Sequence, residues 1–264
     1  MDLQLKGKRA LVSGSSAGIG FAIAQSLAAE GAAVVINGRS PERLEAAAKK
    51  IRSSGAKGEV TLSTADLATK AGVEILLKQV LEVDILVNNL GIYFPKPFEE
   101  ITDEDWLRIF EVNVLSGVRL SRAYLPGMKK KNWGRIIFIS SESGINIPVE
   151  MIHYGMTKTA QLAVSRGLAE TTAGTGVTVN AVLPGPTRSE GVEQFVEDVA
   201  RTNKIDAASV EKEFFKSVRP SSLLKRFATP GEVAALVTYV ASPLSSATNG
   251  AALRVDGGVV RSAF

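Results

Sequence analysis

Cysteine is absent from this 264-residue sequence. That excludes disulfides, a thiolate nucleophile and any cysteine-based metal site. A single histidine, His153, leaves no histidine cluster for zinc, so no metal is expected. Long apolar runs are missing too. None reaches the ~20 residues that span a bilayer, and the opening MDLQLKGKR carries no apolar signal segment. The reading is a cytoplasmic protein without membrane contact. A large excess of one sign of charge is missing: 31 Lys and Arg against 27 Asp and Glu give a net charge of +4. The one dense basic run, Lys129-Lys130-Lys131, precedes a strand-like stretch and reads as a solvated helix end, so no nucleic-acid partner is expected. What remains is ordinary globular composition, 45% hydrophobic and 22% charged.

Short β-branched runs alternate with longer Ala/Leu-rich ones. The runs are ALVSG (10–14), AVVING (33–38), VTLST (60–64), DILVNN (84–89), RIIFISS (135–141), GVTVNAVLP (176–184) and AALRVDG (251–257). Most lack period-2 alternation, as strands buried on both faces do. Helical patterns lie between them: about Ile19 to Glu30, after Pro41, Thr102–Lys130, Met151–Thr172 and after Pro230. No Pro/Gly/Ser linker separates two cores. This predicts one α/β domain over 1–264, a doubly wound parallel sheet of about seven strands with helices on both faces.

The first strand runs into SGSSAGIG, whose Gly14, Gly18 and Gly20 open the first helix. Glycines there let the backbone turn sharply and approach a pyrophosphate, whose charge is favoured at a helix N-terminus. No Lys-Ser/Thr pair follows them, which argues against a nucleotide triphosphatase loop. Farther on, HYGMTK places Tyr154 and Lys158 four residues apart, on one helix face. A cation beside a phenol lowers the phenol's pKa, so the pair could exchange a proton near neutrality.

These stretches, with NNLG (88–91), the serines at 140–141 and PGPTRS (184–189), occur in an order that resembles the short-chain dehydrogenase/reductase family from about Leu5 to Gly258. The resemblance implies a Rossmann-type fold and an oxidoreductase that interconverts a carbonyl and a secondary alcohol. Tyr154 would be the general acid, Lys158 would lower its pKa and hold the nicotinamide ribose, and Ser141, thirteen residues before Tyr154, would bond the substrate oxygen. Ser140 and Ser143 are rivals for that role. Asn113 would support a water leading protons to the lysine. Gly14, Ser16, Gly18, Ile19 and Gly20 would line the cofactor, with Asp66 and Leu67 at its adenine. Asn88, Asn89 and Gly91 would flank its adenosine part, and Pro184, Gly185, Thr187 and Ser189 its nicotinamide. Asp66 reads equally as a helix cap before Ala68. Leu90 departs from the family's usual alanine.

The resemblance also implies a homotetramer or a dimer, a small-molecule carbonyl or alcohol substrate, and a substrate-covering segment at about 187–227. That segment carries Phe195, Phe214, Phe215 and Phe227, which could form an apolar lid or a helical core stripe. A carrier-protein reductase of this family would commonly show a basic residue where Thr175 stands. A non-catalytic NADP(H) sensor would be expected to have lost Tyr154 or Lys158. The choice of NADP(H) follows from VVINGRSPER (34–43): Gly38 falls where an NAD-binding acid would stand, and Arg39 follows it. A guanidinium can grip a 2′-phosphate. Ser40 or Asn37 could add a contact, and Arg43 is a possible decoy.

Overall fold

The computed structural model describes residues 2–203 and 205–263. Among these, seven strands form one parallel sheet in the order β3-β2-β1-β4-β5-β6-β7. The strands are β1 (Arg9–Val12), β2 (Ala33–Gly38), β3 (Val60–Thr64), β4 (Ile85–Asn88), β5 (Gly134–Ile139), β6 (Val177–Pro184) and β7 (Ala252–Val255). Each lies within, or within one residue of, an apolar run of the sequence. Successive residues point to opposite faces. Thus Ala10 and Val12 enter one core while Leu11 enters the other, and Ile85 and Val87 part from Leu86 in the same way.

Helices cover both faces. One core holds Ile23 and Leu27 of α1 (Gly18–Ala29), Leu44 and Ile51 of α2 (Pro41–Ser53), and Val237 of the C-terminal helix. The other holds Val73 and Leu76 of α3 (Lys70–Gln79). The sequence pattern misses α3, because its buried stripe is narrow and Ile75 on the same helix is 47% exposed. Thr69 caps it, accepting from Gly72 N.

The long pattern at Thr102–Lys130 is not one helix. α4 (Asp103–Phe110) and α5 (Ser116–Lys131) are joined by a π-helical turn over Glu111–Leu115, a rare form that often marks functional sites. Lys129, Lys130 and Lys131 do end a helix, where cations suit the negative end of the dipole. Lys131 pairs with Glu82 at 2.7 Å. α6 (Ile152–Glu170) carries the Tyr-Lys pair. The segment expected to cover the substrate forms α7 (Glu190–Asn203), α8 (Ala207–Glu213) and a further π-helical turn over Phe214–Val218. α9 (Pro230–Ala241) closes the first core, opened by a Thr229/Glu232 capping box with proline in its first turn.

Strand order reverses between β1 and β4, so their C-terminal ends open a crevice, where such sheets take ligands.

Candidate active site

The glycine turn sits at that crevice. Gly14 and Gly18 have φ of +60° and +59°, conformations that glycine adopts without steric cost. A Cβ on Gly20 would come within 2.5 Å of Asn89 Nδ2 and of the Gly14 carbonyl, so only glycine fits there. Asn89 ties the end of β4 to this turn, its Nδ2 donating to Ser13 O at 2.9 Å and Gly14 O at 3.0 Å. Ala17, the N-cap of α1, offers no side-chain cap, whereas Ser40, Thr69, Thr102 and Thr229 cap α2, α3, α4 and α9. The first amides of α1 are therefore without a side-chain acceptor at their own cap. Ser189 lies across from them, its Cβ 3.5 Å from where a Gly18 Cβ would be.

Arg39, exposed at the end of β2, makes no ion pair among the described residues. Gly38 beside it abuts Ser16, whose Oγ is 3.4 Å from a would-be Gly38 Cβ. The polar residues around Arg39 are engaged elsewhere. Asn37 is buried, with Nδ2 donating to Ser63 O and Ala65 O. Ser40 caps α2, and Arg43 pairs with Glu190 at 2.7 Å. Asp66 Oδ1 accepts from Ala68 N at 3.1 Å in a local turn, while Thr69, not Asp66, caps α3. The Leu67 and Ile19 side chains face the cores. Asn88 is buried and donates to Ser121 Oγ, away from the crevice mouth.

A second group of residues converges on Gly91. A Cβ there would lie 3.4 Å from Asn113 Oδ1 and 3.5 Å from Lys158 Nζ. Asn113 is in the π-helical turn and is held from three sides. Its Oδ1 accepts from Ile92 N at 2.7 Å, and its Nδ2 donates to Ile92 O and Thr157 Oγ1. Lys158 Nζ donates to Ile139 O at 2.9 Å and to Gln161 Oε1 at 3.3 Å. It lies 5.6 Å from the centre of the Tyr154 ring. Ser141 lies beside Tyr154, where it opposes the rise of the phenol's pKa, and accepts from Ser143 N at 3.1 Å. Ser140, one rival serine, donates instead to Lys158 O. Ser143 Oγ donates to Glu142.

The electrostatics differ from the sequence expectation. Burial pushes the Tyr154 phenol up to about 12, and the neighbouring Ser141 hydroxyl offsets only part of that rise. Burial also pulls the Lys158 ammonium down to about 7. The pair therefore does not meet near neutrality through mutual attraction: loss of water dominates at both groups. His153 is fully buried between Phe94, at 4.5 Å, and Trp106, at 5.9 Å.

At the nicotinamide end of the expected site, a Cβ on Gly185 would lie 2.4 Å from Asp256 O, which demands glycine. Thr187 Oγ1 turns back to the Gly185 carbonyl at 2.9 Å. Pro184 ends β6. In the covering segment, Phe214, Phe215 and Phe227 stack on one another at 5.0–5.1 Å and, with Val196 and Val210, form a small core of their own. They act as packing rather than as exposed lid residues. The Phe195 side chain lies outside the described residues.

Sequence reasoning misses four participants. Tyr93 meets the Tyr154 ring edge-on at 5.9 Å, and its hydroxyl faces Gly191 of α7. Gln161 stands one turn after Lys158, where the i, i+3 spacing could have revealed it. Glu142 and Arg219 form a buried ion pair across 77 residues of chain, which no local pattern signals.

A doubly wound parallel sheet, a glycine turn opening its first helix and a Tyr-Lys pair beside a serine define a class of dehydrogenase. The model of the short chain dehydrogenases matches residues 8–200, and the chain belongs to the short-chain dehydrogenase/reductase family of oxidoreductases. It is 50% identical over 264 residues to YvaG of Bacillus subtilis, named as an uncharacterized oxidoreductase, with 100% of both chains covered. It is 35% identical to a D-β-hydroxybutyrate dehydrogenase of Cupriavidus necator, over 97% of this chain and 99% of that one. Among solved structures, L-sorbose reductase of Gluconobacter frateurii, complexed with NADPH and L-sorbose, superposes with a TM-score of 0.94 at 31% identity, covering 99% of this chain and 100% of that one. Among the described residues no helix is long and apolar enough to cross a membrane, and no group of three His, Cys, Asp or Glu could hold a metal ion.

Proposed function

We propose that the protein is an NADP(H)-dependent oxidoreductase that interconverts a carbonyl and a secondary alcohol, with Tyr154 as its proton-transferring acid. The observation that carries this reading is the convergence of Tyr154, Ser141, Lys158 and Asn113 beside Gly91, next to the uncapped start of α1. The crevice fits a dinucleotide. The glycine turn excludes side chains, the α1 amides suit a pyrophosphate, and Arg39 is free to meet a 2′-phosphate. Gly14, Ser16, Gly18, Ile19, Gly20, Asn89 and Gly91 would line it. Asp66 and Leu67 would lie at the adenine, and Pro184, Gly185, Thr187 and Ser189 at the nicotinamide. Bound there, the dinucleotide supplies or accepts the hydride.

The chain's own residues handle the proton. A carbonyl oxygen in front of Ser141 and Tyr154 meets two hydroxyl donors, placed where negative charge develops. Tyr154 keeps its proton at neutral pH, the form an acid requires. As its Oη passes that proton to the substrate oxygen, the phenolate left behind is stabilised by the Lys158 ammonium 5.6 Å from the ring centre. Asn113 fixes the Ile92 backbone beside Lys158. The segment over 187–227 covers the substrate, and the chain assembles as a homotetramer or a dimer. Leu107 on α4, 70% exposed, is one apolar residue that assembly would cover. Light scattering that finds only monomer at micromolar concentration would remove that part of the reading.

The test is consumption of NADPH with a panel of ketones, aldehydes and 3-oxoacyl thioesters. Tyr154→Phe should still bind NADPH and lose at least about 100-fold in turnover, because only the transferable proton is gone. Undiminished turnover in that variant refutes the mechanism.

A further inference from the structure

A buried carboxylate beside the reactive pair has an oxygen with no partner. Glu142 follows Ser141 directly and is 3% exposed. Its Oε1 accepts from Arg219 Nε at 2.9 Å and from Ser143 Oγ at 3.3 Å. Its Oε2 is enclosed by protein and accepts from no group among the described residues. An ionised carboxylate can only accept, and leaving a buried acceptor unpaired carries the full desolvation penalty. Such groups in native proteins call for an explanation. Arg219 belongs to the covering segment, and its Nη1 also reaches Glu150 at 3.4 Å. Glu142 is thus held between the turn of Ser141 and the segment that carries Arg219, and its charge raises the pKa of the Tyr154 phenol.

We infer that Glu142 is a substrate-recognition residue, and that it selects a neutral ketone or aldehyde bearing a hydroxyl close to the carbonyl. The inference rests on the reductase reading given above. The missing partner of Oε2 must be a donor, which excludes a purely apolar ketone as the best substrate. It need not be a cation, because Arg219 already supplies the counter-charge. It is not a carboxylate: Glu142 and Glu150 place two negative charges around one guanidinium. A neutral hydroxyl satisfies all three conditions. Arg219 pairs with Glu142 from the 187–227 segment, so a substrate hydroxyl reaches Oε2 only by displacing that contact. A site built to bond a hydroxyl discriminates strongly against an analogue that lacks it, because the analogue leaves the buried acceptor unpaired.

The test compares 1-hydroxy-2-butanone, 2-butanone and acetoacetate as substrates with NADPH. The expected order of kcat/KM is hydroxy ketone, then plain ketone, then oxo acid, with the first step at least about tenfold, the size of a charge-assisted hydrogen bond. In the double variant Glu142→Leu/Arg219→Met, which leaves neither charge unpaired, the ratio of the first two should fall below about threefold. Should that variant fail to fold, Glu142→Gln, which keeps the shape, serves instead and should lower the same ratio. Turnover of 2-butanone with no gain from the hydroxyl overturns the inference alone. So does a preference that survives in the variants, or one for acetoacetate. No turnover of the three while another carbonyl of the wider panel is reduced overturns the inference alone; no turnover of the whole panel overturns the reductase reading, and the inference with it.

Discussion

The side-chain amide of Gln161 donates to the main-chain oxygen of Asn113 at 2.6 Å. The same side chain accepts from Lys158 Nζ at 3.3 Å. The π-helical turn at Glu111–Leu115 departs from the regular α ladder, and the Asn113 carbonyl finds its partner on α6. The family resemblance gives Asn113 a water leading to the lysine; in this chain an amide on α6 reaches its carbonyl. Gln161 is 2% exposed, so its dipole acts on Lys158 in a poorly screened setting.

Gln161 should therefore tune Lys158 without touching substrate. Removing its carbonyl in Gln161→Leu takes an acceptor from the ammonium and lowers the lysine's pKa further. A carboxylate in Gln161→Glu raises it. The alkaline limb of the kcat/KM profile, which reports loss of that ammonium, should move to lower pH in the first variant and to higher pH in the second. Profiles that overlay the wild type would mean that Gln161 only packs.

Lys158 should cost stability. Its folded pKa of about 7 lies well below the ordinary lysine value because burial disfavours the charge. Between about 7 and 10.5 the unfolded chain binds more protons than the folded one, so stability rises with pH across that window. The penalty is fully present below pH 7 and is relieved as pH rises through it. Lys158→Met should thus melt above the wild type at pH 6, with the difference shrinking by pH 9, while turnover is lost. A lower Tm for Lys158→Met at pH 6 would contradict this account.

The cofactor preference should reside at the end of β2. Arg39 is exposed and without an ion pair among the described residues, while Asn37, Ser40 and Arg43 are held by other groups. A charge-assisted bond to a 2′-phosphate contributes roughly 1.5–3 kcal/mol, so NADPH should bind more than about tenfold tighter than NADH. Gly38→Asp/Arg39→Leu should reverse the order. Equal affinities in the unaltered protein, measured by fluorescence titration, would show that Arg39 is only a surface residue.

Much of this architecture is readable in the sequence, for identifiable reasons. Strands buried on both faces read as apolar runs, as Ile85, Leu86 and Val87 do in β4, and all seven strands fall on such runs of the sequence. The glycine turn and the Tyr-Lys pair are legible because a backbone constraint and a helical spacing are local. Three features are not. The π-helical turn around Asn113 lies inside an unbroken helical pattern. The stripe of α3 is too narrow to register. The burial that sets the state of Tyr154 and Lys158 comes from elements far apart in the chain, such as Gly91 and Asn113 beside the lysine, whose docking no local pattern encodes.

The Arg219–Glu142 pair is the clearest case of such non-local docking, and its energetics have a definite sign. Burial raises the Glu142 pKa even though Arg219 opposes the rise. Removing the guanidinium in Arg219→Met leaves the carboxylate buried without its counter-charge, which costs about 3–5 kcal/mol when the charge cannot relax. Removing both in Glu142→Leu/Arg219→Met should recover most of that loss, since apolar replacement of a buried pair is often neutral or stabilising. The penalty also depends on pH. A carboxylate whose folded pKa exceeds its unfolded value binds its proton more readily in the native state, so its contribution falls as pH rises through that interval. Arg219→Met widens the interval, and its deficit should be smaller at pH 5 than at pH 7.5. Urea denaturation of the single and double variants at both pH values measures all of this. A deficit that is independent of pH, or a double variant no more stable than Arg219→Met, would show that Arg219 acts through packing and not through Glu142.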